Sequence, residues 1–176
     1  MHRRLDPAWL DAQYNNRARV PQSRQILQRW AEASALARQG AAAAQLDVRY
    51  GPGLRETLDI FPATSTSTPG GGGAAPVLVF LHGGYWRALD KSDHSFIAPA
   101  LNAAGAAVVL PNYALCPAVG IEHITLQVAR AVAWVWRHAA RFGGDPTRIA
   151  LAGHSAGGHL TAMLLSCRWK ELDADL

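Results

Sequence analysis

Lysine is nearly missing from this chain. Of its 17 basic residues, 15 are arginine and only Lys91 and Lys170 are lysine. Seven arginines precede residue 40, and the formal net charge is +4. A nucleic-acid surface would need a basic stripe with aromatic platforms or a known motif. Neither is present, so the charge reads as composition bias on solvated helix faces, and no nucleic-acid partner is expected. Cysteine is equally scarce. Cys116 and Cys167 are too few for a disulfide framework and lack metal-ligand spacing. Free thiols in a cytoplasmic protein are the simplest account, and no metal is expected. No run reaches the ~18 apolar residues of a membrane span. No apolar segment follows the Arg3-Arg4 pair, so neither a membrane anchor nor a secretory leader is expected. Charged residues make up 17%, below the usual share, while 49% hydrophobic is ample for a core. With 176 residues, the chain reads as one domain, or one large domain cut short.

What is present centres on residues 148–167. Ile149 to Ala152 is an apolar run long enough for a buried strand, and Gly153-His154-Ser155-Ala156-Gly157 follows at once. Helix formers then run from Leu160 to Leu165. Strand, Gly-x-Ser-x-Gly, helix is the context of a nucleophile elbow. The serine sits on a sharp turn, so Gly153 and Gly157 must lack side chains for strand and helix to pass closely. The helix N-terminus beneath it favours developing negative charge.

In chain order, Asp6-Pro7 reads as the start of a short helix over 7–14, interrupted by Asn15-Asn16. A second helix is predicted from about 22 to 39, with Ile26, Leu27, Trp30, Ala33 and Ala37 on one face and Gly40 as its stop. These form an N-terminal helical arm, residues 1–44, ahead of a domain spanning 45–176. Gln45–Tyr50 and Glu56–Phe61 read as a hairpin with alternating apolar residues, turned by Gly51-Pro52-Gly53. Residues 62–75 are low-complexity and read as a flexible loop. Val77–Leu81 is a central strand running into His82-Gly83-Gly84-Tyr85-Trp86. A helix over 93–104 follows, then a strand over 106–110. A long helix over 122–142 comes next, with Ile124, Val128, Val132, Val135, Ala139 and Phe142 at a 3.6 period.

The order is therefore a hairpin, then β-α-β-α-β-α. That pattern predicts an α/β fold: a mostly parallel sheet with helices on both faces. Ligands in such sheets sit at the carboxyl ends of the strands, where both glycine-rich motifs fall. A serine hydroxyl needs a base to take its proton, and attack on a carbonyl places charge on oxygen that needs preorganised donors. The N–H of Ala156, the residue after the serine, is one such donor. The 82–86 loop is the expected source of a second, its glycines letting the backbone approach substrate closely.

These residues resemble the α/β-hydrolase fold. Within it, His82-Gly83-Gly84-Tyr85-Trp86 resembles the oxyanion loop of the kynurenine formamidase (arylformamidase) and related esterase group. Pro111-Asn112-Tyr113, Gly144-Asp145-Pro146-Thr147-Arg148-Ile149 and Gly153 to Leu160 support the likeness, which covers about residues 45–167. The resemblance implies Ser155 as nucleophile and the amides of Gly84, Tyr85 and Ala156 as the oxyanion hole. It implies hydrolysis of a small ester or aryl formamide, such as N-formylkynurenine, through an acyl-serine, with no cofactor. Trp86 is a candidate pocket wall.

The triad in this fold continues with an acid and then a histidine on later strands. After Ser155 the chain offers only Glu171, Asp173 and Asp175 as acids and His159 as histidine. His159 lies one turn along the serine's own helix, so its ring is expected to point away from the hydroxyl. The triad acid and histidine are thus not found, and the C-terminal strands and helices of the fold are read as missing. Strand 149–153 would then be an exposed edge, predicting self-association. His154 and His159 lack the spacing and the acid of a zinc helix. His123 and His138 are expected on the solvent side of the long helix. His94 is expected at the surface, with a substrate contact as the alternative, and Trp30, Trp134 and Trp136 are expected to pack. Two readings stay open: a serine hydrolase, and a catalytically incomplete chain acting at most as an interaction or assembly module. A dinucleotide-binding fold fails for want of Gly-x-Gly-x-x-Gly after the first parallel strand.

Overall fold

The computed structural model describes residues 6–64 and 73–172. Most of the low-complexity stretch, residues 65–72, lies outside the described residues, as do Asp173 and Asp175.

Helix α1 (Pro7–Tyr14) starts where the Asp6 carboxylate accepts from the Ala8 N–H at 3.2 Å, with Pro7 where a missing N–H is harmless. The expected break at Asn15-Asn16 is a cap: Asn15 Oδ1 accepts from the Ala18 N–H and opens a single turn, α2 (Asn16–Arg19). Helix α3 spans Ser23–Gly40. Ile26, Leu27, Trp30 and Ala37 are at least partly covered as expected, but Ala33 is exposed and Ser34 is buried in its place. The Ser34 hydroxyl accepts the Phe96 N–H at 3.1 Å, so this buried polar group has its partner.

Among the described residues five strands form one sheet in the order β1-β2-β4-β3-β5: β1 (Gln45–Arg49), β2 (Thr57–Phe61), β3 (Ala75–Leu81), β4 (Ala107–Pro111) and β5 (Gly144–Gly153). β2 runs antiparallel to β1 and β4, while β3 runs parallel to β4 and β5. The hairpin alternation expected for β1 is interrupted. Asp47 takes φ 56° and its N–H donates to the Asp59 carboxylate at 2.8 Å, so the register shifts between Gln45 and Val48 and Leu46 is left exposed.

The central strands are apolar throughout because both sheet faces are covered. In β4, Ala107 and Val109 enter one core with Val77, Val79 and Leu81 of β3, while Val108 and Leu110 enter a second core with Phe61 and Ala98. Helix α5 (Ile121–His138) and α6 (Ala156–Leu164) cover the first face, burying Ile124, Val128, Val135 and Leu160. Helix α4 (Ala98–Ala103) covers the second. Two helices are shorter than the sequence suggested. The segment 93–104 divides into a 3₁₀ helix, Lys91–Ile97, and α4, which begins with Pro99 in its first turn. The long helix leaves α geometry at His138 and closes as a 3₁₀ turn, Ala139–Phe142, ended by Gly143 at φ 76°. A four-residue helix, α7 (Trp169–Leu172), follows. No helix among the described residues is long and apolar enough to cross a membrane.

From β3 the chain moves to β4 on one side, then crosses back over β3 to β5 on the other. That reversal opens a crevice at the carboxyl ends of β3 and β5. Leu81 pairs with Gly153, so His82 and His154 begin their loops side by side.

Candidate active site

The turn after β5 is sharp. Ser155 has φ 54° and ψ −115°, a sparsely populated conformation for a residue with a side chain, and α6 starts at the next residue. The glycines explain how it closes. A Cβ on Gly153 would lie within 3.0 Å of the Gly157 backbone, and one on Gly157 within 3.0 Å of the carbonyl oxygens of Leu81 and His82. The Gly157 N–H donates to the His154 carbonyl at 2.9 Å, and the His154 N–H reaches the Leu81 carbonyl at 3.2 Å. Ser155 is exposed at the head of α6. Ala156, the first residue of that helix, is buried, and first-turn N–H groups have no partner within their own helix.

The loop after β3 is left-handed for three residues: Gly84 at φ 112°, Tyr85 at 58° and Trp86 at 57°. It curls over the Gly84 carbonyl, which accepts from Arg87 and Ala88 at 3.0 Å each. His82 anchors it from below. Its ring is buried and stacks on Tyr113, with centroids 4.2 Å apart. The Tyr113 hydroxyl donates to the His82 carbonyl at 2.6 Å. His82 Nδ1 faces the Gly83 carbonyl at 2.7 Å and Nε2 faces Asn112 Oδ1 at 3.0 Å. Carbonyl and N–H of a trans peptide point opposite ways, so this contact aims the Gly84 N–H away from the imidazole.

Asn112 is fixed in turn. Its Nδ2 donates to Asp90 at 2.6 Å, and its Oδ1 accepts from Arg55 at 2.9 Å. Arg55 also reaches the carbonyls of Tyr113 and Leu89 and pairs with Asp90 at 3.1 Å. Burial pushes the His82 imidazole down to about 4, so the ring is neutral at pH 7. Burial works to raise the Asp90 carboxyl, but hydrogen bonds from Ser92 and Asn112 outweigh it and hold the group below its ordinary value. Asn112 and Tyr113 were part of the motif read from sequence. Arg55 and Asp90 were missed, since a lone Arg in a hairpin turn carries no signal of what it will brace.

The aromatic and imidazole rings near the two loops fall into two clusters. Tyr85 and Trp86 form one, with His159 edge-on to Trp86 at 5.1 Å and 89°. The His159 ring thus turns its edge or face to Trp86. The second cluster gathers Trp30, His94, Phe96 and His154, with Trp30 edge-on to His154 at 5.8 Å and 85°. Here the surface position expected of His94 is corrected. It is 2% exposed, because the Trp30, Phe80 and Phe96 rings close over it, and burial lowers its pKa. His123 is exposed, and His138, half-buried, stacks on Trp134 at 4.2 Å.

No hydrogen bond joins Ser155 Oγ to a histidine among the described residues. Glu171 is exposed and paired with Arg168 at 2.9 Å. It borders a cavity of about 770 Å³ between α5, β5 and α7, walled by Val132, Trp136, Ile149, Leu151 and Trp169 and separate from the Ser155 motifs. No group of three or more His, Cys, Asp or Glu among the described residues is placed to hold a metal ion.

Comparison with known proteins agrees with this architecture. Residues 58–176 match the BD-FAE family model. The chain is 37% identical over 132 residues to a kynurenine formamidase from Salmo salar, covering 75% of this chain and 42% of the relative. It is 36% identical to esterase LipQ of Mycobacterium tuberculosis, covering 69% of this chain and 29% of the relative. A crystal structure of a protein from Silicibacter sp. TM1040 superposes with TM-score 0.74 and 38% identity, covering 89% of this chain and 55% of that one. The chain spans less than half the length of these curated relatives. It belongs to the BD-FAE family, within the α/β-hydrolase group of kynurenine formamidases and esterases.

Proposed function

We propose that this protein is a serine hydrolase that cleaves a small carboxylic ester or an aryl formamide, with Ser155 as nucleophile. The Leu81–Gly153 register carries the reading, because it sets the 82–86 loop against the Ser155 turn. Ser155 Oγ attacks the carbonyl carbon, and its proton passes to a base. Negative charge gathers on the carbonyl oxygen, where the N–H groups of Gly84, Tyr85 and Ala156 receive it. Each such donor contributes about 3–4 kcal/mol to lowering the barrier. The Gly84 amide is aimed by the His82–Gly83 contact, and the Ala156 amide by the first turn of α6. The alcohol or amine departs with a proton, and water then releases the acid from the acyl-serine. A kynurenine formamidase and an esterase among the relatives are consistent with an acyl-transfer substrate of this class.

A second reading is favoured by one observation: His159 faces Trp86, and Ser155 has no histidine partner among the described residues. On that reading residues 1–176 alone hold the nucleophile and oxyanion donors without base or acid, and act at most as an assembly module.

Hydrolysis of p-nitrophenyl acetate and of N-formylkynurenine by the purified chain, beside Ser155→Ala, separates the two. Turnover that disappears in the variant supports the hydrolase. Equal rates for both proteins support the incomplete chain.

A further inference from the structure

We propose that α3 is an element of the substrate site, and that Trp30 is a specificity-determining residue favouring an aromatic group on the substrate. The proposal rests on the hydrolase reading for what occupies the Ser155 crevice. Residues 23–40 lie outside the segment matched by the family model, and the sequence alone left their role unread.

The argument begins with how α3 is held. It lies along the Lys91–Ile97 segment, pinned by Ser34 accepting the Phe96 N–H at 3.1 Å and by Arg38 donating to the Ser92 carbonyl at 3.1 Å. Both bonds fix the helix in register against the segment that carries His94, whose ring stacks on His82 at 5.9 Å. Trp30 lies one turn before Ser34, so this docking sets where its indole goes. It meets Phe96 at 5.6 Å and His94 at 5.7 Å, and it stands edge-on to His154 at 5.8 Å.

His154 is the residue before Ser155, and it is exposed. A Cβ on Gly83 would lie 3.0 Å from its Nδ1 and 3.3 Å from Ser155 Cβ. The imidazole therefore bridges from Trp30 to the point where the two glycine-rich loops touch. His94 lies fully buried behind this layer, while Trp30 and Phe96 are only partly covered. Part of the indole stays open, next to the exposed imidazole that adjoins Ser155.

Partly open rings select by shape and quadrupole. A flat aromatic group gains offset or edge-on contact with Trp30 and His154, whereas an alkyl chain of equal size gains area alone. Contacts of this kind change an equilibrium by a factor of about 2–10.

The test reads binding without turnover, on the ¹⁵N-labelled 176-residue chain, with acetophenone and 2-octanone as ketones of equal carbon count. Acetophenone is expected to shift the Trp30 indole signal and the amides of Gly83 and Ser155. Trp30→Ala is expected to weaken its binding about fivefold while changing that of 2-octanone less than twofold. Trp30→Phe should retain the preference. Trp136→Ala, on the separate cavity, should leave it intact. If Trp30→Ala fails to fold, Trp30→Leu against Trp30→Phe decides: the ring, and not the volume, must carry the preference. Equal weakening of both ketones, no change in either, or no acetophenone binding at these signals overturns the proposal. Absence of Ser155-dependent turnover overturns the hydrolase reading alone, so the two failures are distinguishable.

Discussion

Gly83 and Ser155 meet where β3 and β5 release their loops: a methyl group on Gly83 would lie 3.3 Å from Ser155 Cβ and 2.8 Å from the His154 carbonyl oxygen. The second of these is a backbone atom that cannot rotate aside, so Gly83→Ala must push the two loops apart. We expect a loss of about 1–3 kcal/mol, the usual effect of overpacking. Gly157→Ala should lose at least as much, since its methyl would press on the Leu81 and His82 carbonyls. Gly40→Ala, with nothing within 4 Å of the added carbon, should be neutral or gain a few tenths of a kcal/mol. Urea unfolding of the three variants checks the order. A Gly83→Ala midpoint equal to that of the parent refutes the contact.

The crowding at Gly153 and Gly157 was legible in the sequence, because glycine spacing reports backbone crowding directly, whereas the contact of Gly83 with His154 and Ser155 was not: the glycines after β3 read as room for substrate. The strands were legible for a similar reason: runs such as Val77–Leu81 are apolar at every position because the sheet is covered on both faces. What stayed hidden depends on partners distant in sequence. His94 reads as a polar residue near a helix start, and it is buried by rings that include Trp30, 64 positions earlier, and Phe80 of β3. Ser34 reads as a break in the apolar face of α3, and only the Phe96 N–H makes it a buried acceptor. The bulge at Asp47 likewise depends on Asp59 and Lys91. Periodicity reports which face is covered, not which polar group finds a partner there.

The two buried imidazoles predict an acid-labile fold. Burial lowers the pKa of His82 to about 4 and that of His94 in the same direction, against an ordinary value of 6.5 in the unfolded chain. The unfolded state therefore binds more protons below pH 6.5. Stability contributed by keeping these rings neutral is present above that pH and is lost as pH falls toward 4. For His82 alone the loss is on the order of 3 kcal/mol. Asp90 and Glu56, whose pKa values are lowered, act in a separate window: their contribution is lost only as pH falls below about 4. Urea midpoints at pH 7.5, 6.5, 5.5 and 4.5 should fall steadily across the histidine window. A flat profile over that range contradicts the neutral, buried rings.

Lys91 is the one lysine within the sheet domain's packed interior among the described residues, and its ammonium sits between Asp59 at 2.5 Å and Asp47 at 2.7 Å. Lys91 and Asp59 are buried, while Asp47 is largely exposed. Lys91→Met removes the cation and leaves the Asp59 carboxylate in a dry site. We expect a loss of about 3–5 kcal/mol, as for breaking any buried ion pair from one side. Asp47→Asn, at the exposed end, should lose under about 1 kcal/mol. The double variant Lys91→Met, Asp59→Leu should recover much of the single-variant loss, because it removes both charges together. Failure of that recovery would mean that the carboxylate is held by other groups.

The β5 strand offers the last test. It pairs with β3 along one side, from Gly144 to Gly153, and β3 is its only strand partner among the described residues. Ala150 is exposed, and Ile149 and Leu151 open onto the apolar cavity beside α5. Unpaired N–H and C=O groups along an apolar edge are a template for another strand. The 176-residue chain on its own is therefore expected to self-associate, with sedimentation velocity showing a dimer or larger species that grows with concentration. Ala150→Lys puts a charge on that edge, a device by which natural edge strands resist pairing, and should shift the distribution toward monomer without lowering the urea midpoint. Surface charge elsewhere should not do this: Leu126→Lys on the exposed side of α5 is the matched control, changing net charge equally and leaving association unchanged. A monomer at all concentrations, with cooperative unfolding, would mean that the β5 edge is protected within these residues and that self-association through it is wrong.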